Sequence, residues 1–220
     1  MHVQAIVDEL LYERAPWLQA NNIIIRAINQ ALKAGLGYAD SVSQLEALDG
    51  LSGSDILKQV GALIAKDCCF QGLDKIPKNG AGIIVANHPT GIADAIILFS
   101  EICKIRPDLF FFANNDTLRV FPQLKDQICP VEWKKEKRNL SRTRATLEFT
   151  KSAIESKRLG IIFPSGRIAK RKRLSLIERE WMPSAISLAR KFEVPIIPAH
   201  IFARNSILFY LLDIIHPTLR

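Results

Sequence analysis

The stretch "IIVANHPTGIADAIIL", residues 83–98, decides how this chain folds. Its first four residues are apolar and predict a buried strand, and the apolar run from residue 92 predicts a helix. Pro89 and Gly91 lie between them and predict a sharp turn. His88 therefore follows the end of a strand, and Asp94 lies in the first turn of the next helix. Open α/β sheets hold their ligands at such strand ends, which makes this turn a candidate site.

The spacing of His88 and Asp94 suits a turn better than a helix. Two side chains on one helical face must be three or four positions apart, and these are six apart. Across a tight turn, however, Asp94 can fold back and fix one imidazole nitrogen, so that the other can accept a proton. The pattern predicts a His–Asp pair for general-base catalysis. A structural role stays open, because an Asp in a first helical turn stabilises the helix dipole in any protein.

Apolar runs alternate with helix-length segments from residue 68 onward, whereas residues 1–66 predict helices only. In that first part Ser54 is a candidate N-cap for an amphipathic helix. We expect an α/β protein with a mixed, largely parallel sheet flanked by helices. We expect two domains, a helical N-terminal region of residues 1–66 and an α/β core of residues 67–220. An apolar run lies shortly before residue 220, so it stays open whether the core continues. The expected strands are Ile83–Val85, Leu109–Ala113, Ile128–Val131, Gly160–Phe163 and Pro195–Ile201; helices are expected near 92–105, 141–157 and 178–192.

Two later stretches repeat the design of a strand followed by a polar turn. "LGIIFPSGRIAKRKR", residues 159–173, ends in five bases within seven positions, beginning with Arg167. Gly166 lets the backbone approach a ligand, and the guanidinium of Arg167 can bind phosphate or carboxylate through two parallel hydrogen bonds. In "KFEVPIIPAHIF", residues 191–202, Pro198 within a strand predicts an edge position. For the basic stretch, a solvated loop is the alternative interpretation. His200 is interpreted as a structural histidine rather than as a second base.

The three stretches together resemble motifs of the glycerolipid acyltransferase superfamily. That family has Asn-His-x4-Asp as its first motif, Phe-Pro-Glu-Gly-Thr as its third and Val-Pro-Ile-Ile-Pro as its fourth; the corresponding segments here are "NHPTGIAD", "FPSGR" and "VPIIPAH". The longer His-x5-Asp spacing most resembles the hemolysin and ornithine-lipid acyltransferase branch. Ser165 stands in place of the family's Glu and Arg167 in place of its Thr, and both changes put a glycerol-phosphate acceptor in question.

The resemblance implies an acyltransferase with His88 as the catalytic base and Asp94 as its charge partner. The remaining residues that it implies for substrate binding are Asn87, Thr90, Gly91, Phe163, Pro164, Ser165, Gly166, Arg167 and Pro198. The expected reaction moves a fatty acyl group from acyl-CoA or acyl-carrier protein to a hydroxyl or amine of a lipid acceptor, in phospholipid or aminolipid metabolism. No metal, resident cofactor or covalent acyl-enzyme is expected, since "FPSGR" lacks the GxSxG pattern of a nucleophilic serine. The alternative is a non-catalytic membrane- or nucleic-acid-binding module on the same fold.

Charge is concentrated in the second part of the chain. The net charge is +8, yet residues 134–220 contain 19 Lys/Arg against 7 Asp/Glu. We expect Lys134, Lys135, Lys137 and Arg138 to form one face with Lys170–Arg173, flanked by Trp133 and Trp181, that rests on an anionic membrane. Nucleic acid is the less favoured partner, because aromatic residues are not interleaved with these bases.

The cysteines, the first residues and the apolar runs indicate the cellular compartment. The four cysteines form no CxxC pair, which is typical of a reducing compartment. The first residues carry acidic side chains where a signal peptide carries basic ones, and no apolar run approaches the length of a membrane span. We expect a cytoplasmic protein that is peripheral on the inner membrane face.

Overall fold

A computed structural model of the chain describes residues 3–132, 140–173 and 175–215. These residues form two compact units. The first unit comprises residues 3–51, 119–122 and 206–215, and the second comprises the described residues of 52–118 and 123–205. The site described below lies wholly within the second unit.

The second unit is built on a parallel sheet of five described strands. Their order is β3-β2-β4-β1-β7, and every neighbouring pair in it is parallel. A separate antiparallel hairpin joins β5 to β6. The strands are β1 (Gly82–Ala86), β2 (Leu109–Asn114), β3 (Ile128–Val131), β4 (Leu159–Ile162), β5 (Lys170–Lys172), β6 (Ser175–Ile177) and β7 (Ile196–Ala199).

Helices cover both faces of this sheet, as the continuous apolar character of its central strands requires. On one face Ile83 and Phe110 belong to a core that includes Ala153 of α7 and Ala185 of α8. On the other face Phe99 of α5 packs against Phe111, with ring centroids 6.0 Å apart. The described helices are α1 (Val3–Arg14), α2 (Ile23–Gly35), α3 (Tyr38–Ala47), α4 (Gly53–Ile64), α5 (Ile92–Ile102), α6 (Asp116–Val120), α7 (Leu140–Glu155), α8 (Ser184–Phe192) and α9 (Ile207–Ile215).

A buried arginine ties together the segments that lead into three strands. Arg106 donates hydrogen bonds to the carbonyl oxygens of Gly80 and Lys157, which precede β1 and β4. It also pairs with Asp108, just before β2, at 2.5 and 2.8 Å. Hydrogen bonding from Arg106 keeps the pKa of Asp108 below its usual range. These contacts fix the amino edge of the sheet and leave the carboxyl edge to the functional turns.

The first unit contains helices joined by polar contacts. Asp8 of α1 accepts hydrogen bonds from Lys33 of α2 and from Tyr38 of α3, each at 2.7 Å. Ile23 and Ile24 of α2 are largely exposed to solvent. Among the described residues, no helix has the length and apolar character needed to cross a membrane.

The predicted fold class, an α/β core with flanking helices and a helical N-terminal region, is confirmed. The domain boundary between residues 66 and 67 stays a prediction, although the structure groups α4 with the sheet because α4 packs on α5. Two details were wrong, and one was not predicted. The helix expected from residue 178 begins only at Ser184, after Pro183. Ser52 rather than Ser54 caps α4, since Ser52 Oγ accepts from the N–H of Asp55. The detail that was not predicted is the hairpin strand within the basic run.

Candidate active site

The turn at residues 87–91 connects the carboxyl end of β1 to the start of α5. It is short because Gly91 adopts φ 86° and ψ −135°, a backbone conformation that is essentially restricted to glycine. Gly91 is also buried, and the side chain of Ile168 lies against it where any Cβ would project. The sequence folds into this turn because Pro89 and Gly91 disfavour a continuous strand or helix.

Asp94 stabilises the turn from within the first turn of α5. Its side chain is fully buried, and Oδ2 accepts the backbone N–H groups of Thr90 and Gly91 at 2.9 and 3.0 Å. Its other oxygen, Oδ1, accepts a hydrogen bond from the Thr90 hydroxyl. Buried carboxylates persist in folded proteins when they are satisfied in this way. Asp94 therefore has a structural function in addition to any chemical one.

His88 faces this carboxylate. Nδ1 lies 3.0 Å from Asp94 Oδ2, which is the proximity that the spacing predicts. Despite this distance, Nδ1 makes no hydrogen bond to a described residue that meets the usual geometric limits. The catalytic role of the pair stays a prediction.

Phe163 fixes the plane of the imidazole. Its ring stacks on His88 with centroids 4.2 Å apart and an interplanar angle of 22°. Phe163 follows β4, the immediate neighbour of β1 in the sheet, so adjacent strands deliver the two rings to the same edge. The turn that continues from it uses Gly166 at φ 61°, and Pro164 accepts a hydrogen bond from the N–H of Met182. The segment of residues 163–166 thus supports the His88 turn.

Asn87 links the His88 turn to the end of β7. Its side-chain amide donates to the carbonyl of Ile201 at 2.9 Å, and its amide oxygen accepts from the N–H of Ile201 at 2.6 Å. Through these two bonds the side chain of Asn87 continues the pairing of β1 with β7 beyond the last paired residues. Pro198 lies on β7 opposite Val85, and β7 is an edge strand among those described, as the proline predicts.

A cavity of about 660 Å³ opens beside His88, a size typical of small-molecule sites. Asn87 and His88 belong to its wall. The other predicted residues do not: Thr90, Gly91, Phe163, Pro164, Ser165 and Gly166 belong to the supporting turns, while Arg167 and Pro198 are exposed outside the cavity wall. Their predicted binding roles stay predictions.

The sequence analysis missed several residues of the cavity wall. Leu176, Trp181 and Phe202 give it apolar surface, and Arg204 gives it a positive charge. Glu178 was placed in a helix, yet it lies in an irregular segment before α8. Pro183 was the available signal, because a proline inside a helical pattern marks the residues before it as a probable boundary.

A sequence model of the acyltransferase family matches residues 67–202, a range that contains all three turns. This chain belongs to the acyltransferase family. The match confirms the predicted family and the predicted enzyme class. The matched range also includes the His88 turn and the cavity wall, apart from the last two residues of that wall.

Two relatives of this acyltransferase have a specific name. A lyso-glycine lipid O-acyltransferase from Phocaeicola vulgatus is 24% identical over 158 residues, which are 72% of this chain and 55% of that protein. A protein of the same name from Bacteroides thetaiotaomicron is 23% identical over 206 residues, 93% of this chain and 72% of that protein. The match thus spans about half the length of the first relative.

The geometry of Gly91 leads to a prediction about stability. Gly91→Ala should lower the free energy of unfolding by about 1–3 kcal/mol, because alanine is strained at this backbone conformation. Gly35→Ala is the control: Gly35 ends α2 with no positive φ and no atom within 4 Å of an added Cβ. It should leave stability unchanged or raise it by up to about 1 kcal/mol. Urea unfolding measures both, and equal stability of the two variants would contradict the described turn.

Proposed function

We propose that this acyltransferase moves a fatty acyl group from a thioester to a hydroxyl of a lipid acceptor, with His88 as the general base. The observation that supports this most is the His88–Asp94 pair at 3.0 Å, placed on the wall of a cavity. The names of both relatives state O-acyl transfer to a lyso-lipid, which favours a hydroxyl over an amine as the acceptor group. In this proposal the acyl donor is acyl-CoA or acyl-carrier protein, bound as a co-substrate.

The chemistry requires one base that changes roles. Nε2 of His88 removes the proton of the acceptor hydroxyl as its oxygen attacks the thioester carbonyl carbon. The tetrahedral intermediate collapses, the C–S bond breaks, and the imidazolium returns its proton to the thiolate that leaves. The Asp94 carboxylate stabilises the imidazolium while it exists, as the acidic member of a catalytic triad does. His88 ends neutral and ready for another cycle.

A direct transfer fits the surroundings of Ser165 better than an acyl-enzyme would. Ser165 is buried, and its hydroxyl lies 3.0 Å from both the Arg167 carbonyl oxygen and Glu178 Oε1. A nucleophilic serine needs an adjacent base and an exposed oxygen, and His88 makes no described hydrogen bond to Ser165. We therefore propose that no covalent intermediate forms.

The cavity wall supports an amphipathic acceptor. Phe202 and Leu176 offer contact to acyl chains, whereas Arg204 offers a positive charge to a polar headgroup. Arg204 has this position in place of Arg167, the residue that the motif suggested for anion binding. An anionic lyso-lipid with a free hydroxyl is the class of acceptor that such a wall would accommodate.

Two histidines of the same wall allow a matched test of the base. His88→Ala should lower kcat for acyl transfer about 100- to 10,000-fold, since general-base catalysis contributes about 10²–10⁴. His200→Ala should change KM more than kcat, because His200 packs against Phe202 and lies beside no described carboxylate. Radiolabelled acyl-CoA with lyso-lipid acceptors measures both rates.

Thermal unfolding of the same preparations provides the control for folding. Both variants should keep their midpoints within a few degrees of the parent, because neither side chain belongs to the hydrophobic core. An unchanged kcat in folded His88→Ala would overturn the assignment of the base. A parent protein that transfers no acyl group from any thioester would favour a lipid-binding module instead.

We also propose that the basic segment rests on an anionic membrane surface. Lys170 to Lys172 form the exposed strand β5, and Arg173 follows it. Trp181, expected at the headgroup level, lies at the cavity wall, half-exposed, where it could contact both lipid and protein. Trp133, Lys134, Lys135, Lys137 and Arg138 lie outside the described residues.

Vesicle sedimentation tests this surface. Binding should require anionic lipid and should weaken between 0.1 and 1 M salt, since the Debye length falls from about 10 to 3 Å. Reversing Lys170 and Lys172 to Glu should weaken binding at least tenfold, because each base near such a surface contributes about 1 kcal/mol. The control reverses exposed Lys66 and Lys75, with the same change of net charge. Equal loss in both pairs, or tighter binding to DNA than to vesicles, would contradict the proposal.

A further inference from the structure

Glu178 lies beside the His88 turn although no sequence motif points to it. Its Oε1 accepts the backbone N–H of His88 at 2.5 Å and lies 3.0 Å from the Ser165 hydroxyl. Its Oε2 accepts the indole N–H of Trp181 at 2.7 Å. One carboxylate therefore connects the His88 turn, the turn at Ser165 and the cavity wall.

The backbone of His88 is held on both sides by this part of the chain. Its N–H donates to Glu178, and its carbonyl oxygen accepts the N–H of Ala169 at 2.9 Å. Both contacts come from the segment between β4 and α8, which contains the β5–β6 hairpin. Because Glu178 directly follows β6, the hairpin sets where its carboxylate can reach.

The residue at position 165 explains why the Glu178 carboxylate fits beside the His88 turn. The family's third motif has Glu at this position, whereas this chain has the much shorter Ser165. The Ser165 hydroxyl faces Glu178 Oε1, so the space that a longer side chain at 165 would enter contains the carboxylate of Glu178. A carboxylate is thus present at the turn, but it is supplied thirteen positions later in the chain.

We propose that Glu178 is the positioning residue for His88 and that it replaces the carboxylate absent from position 165. It contacts the peptide group of His88 rather than the reacting atoms, and a charged acceptor holds that N–H more firmly than a neutral one. With the backbone of His88 held at its N–H and at its carbonyl oxygen, the imidazole keeps its place between Asp94 and Phe163. A displacement of about 1 Å at such a group can lower a rate on the order of 100-fold.

The inference rests on the proposed function for its kinetic test. Glu178→Ala should lower kcat about 30- to 100-fold with little change in KM, and Glu178→Gln, which keeps one acceptor oxygen, about tenfold or less. The double variant Ser165→Glu with Glu178→Ala returns a carboxylate to the same space and should recover most of the lost kcat. Glu180→Ala is the control, an exposed acid two positions away. A wild-type kcat in Glu178→Ala, or an equal loss in Glu180→Ala, would overturn the proposal.

A readout that needs no turnover separates this inference from the proposed function. By NMR, hydrogen exchange of the His88 amide should be slow in the parent, at least tenfold faster in Glu178→Ala, and slow again in the double variant. If the parent catalyses no acyl transfer yet exchange follows this order, the proposed function fails and the positioning role stands. If exchange at His88 is the same in all three proteins, Glu178 does not hold this peptide group and the inference fails.

Discussion

A single buried carboxylate organises the site. Asp94 is surrounded by the N–H groups of Thr90 and Gly91, the Thr90 hydroxyl and the imidazole of His88. Removing a carboxylate from water is costly unless hydrogen bonds replace the lost hydration, and here the turn itself supplies them. The same contacts that make the charge tolerable also fix the backbone that carries His88. Fold and candidate chemistry therefore depend on one side chain.

The rest of the second unit places three supports around that turn. β4 brings Phe163 to stack on the imidazole, and β7 ends where Asn87 can bond to Ile201. The β5–β6 hairpin brings Glu178 to the N–H of His88. A parallel sheet makes this convergence possible, because all its strands end at one edge, as in other open α/β proteins. The opposite edge is fixed independently by Arg106.

The sequence predicted what depends on local pattern. Apolar runs indicated the five sheet strands, and the proline and glycine of the first turn indicated the contact between His88 and Asp94. What it could not predict depends on contacts between distant positions. Glu178 and Arg204 are ordinary surface-type residues in the sequence, and only the hairpin and the end of β7 bring them to the cavity. Arg167 shows the converse: its motif position suggested substrate binding, yet its exposed side chain is not part of this cavity wall.

Substitution of Asp94 by Asn separates the two functions of this carboxylate. An amide oxygen can still accept the N–H groups of Thr90 and Gly91, but the negative charge facing His88 is lost. We predict that Asp94→Asn keeps its thermal midpoint within a few degrees while kcat for acyl transfer to a lyso-lipid falls about 100-fold or more. A folded Asp94→Asn protein that retains the parent kcat would show that Asp94 serves the turn alone, and would contradict the account of the pair as the catalytic centre.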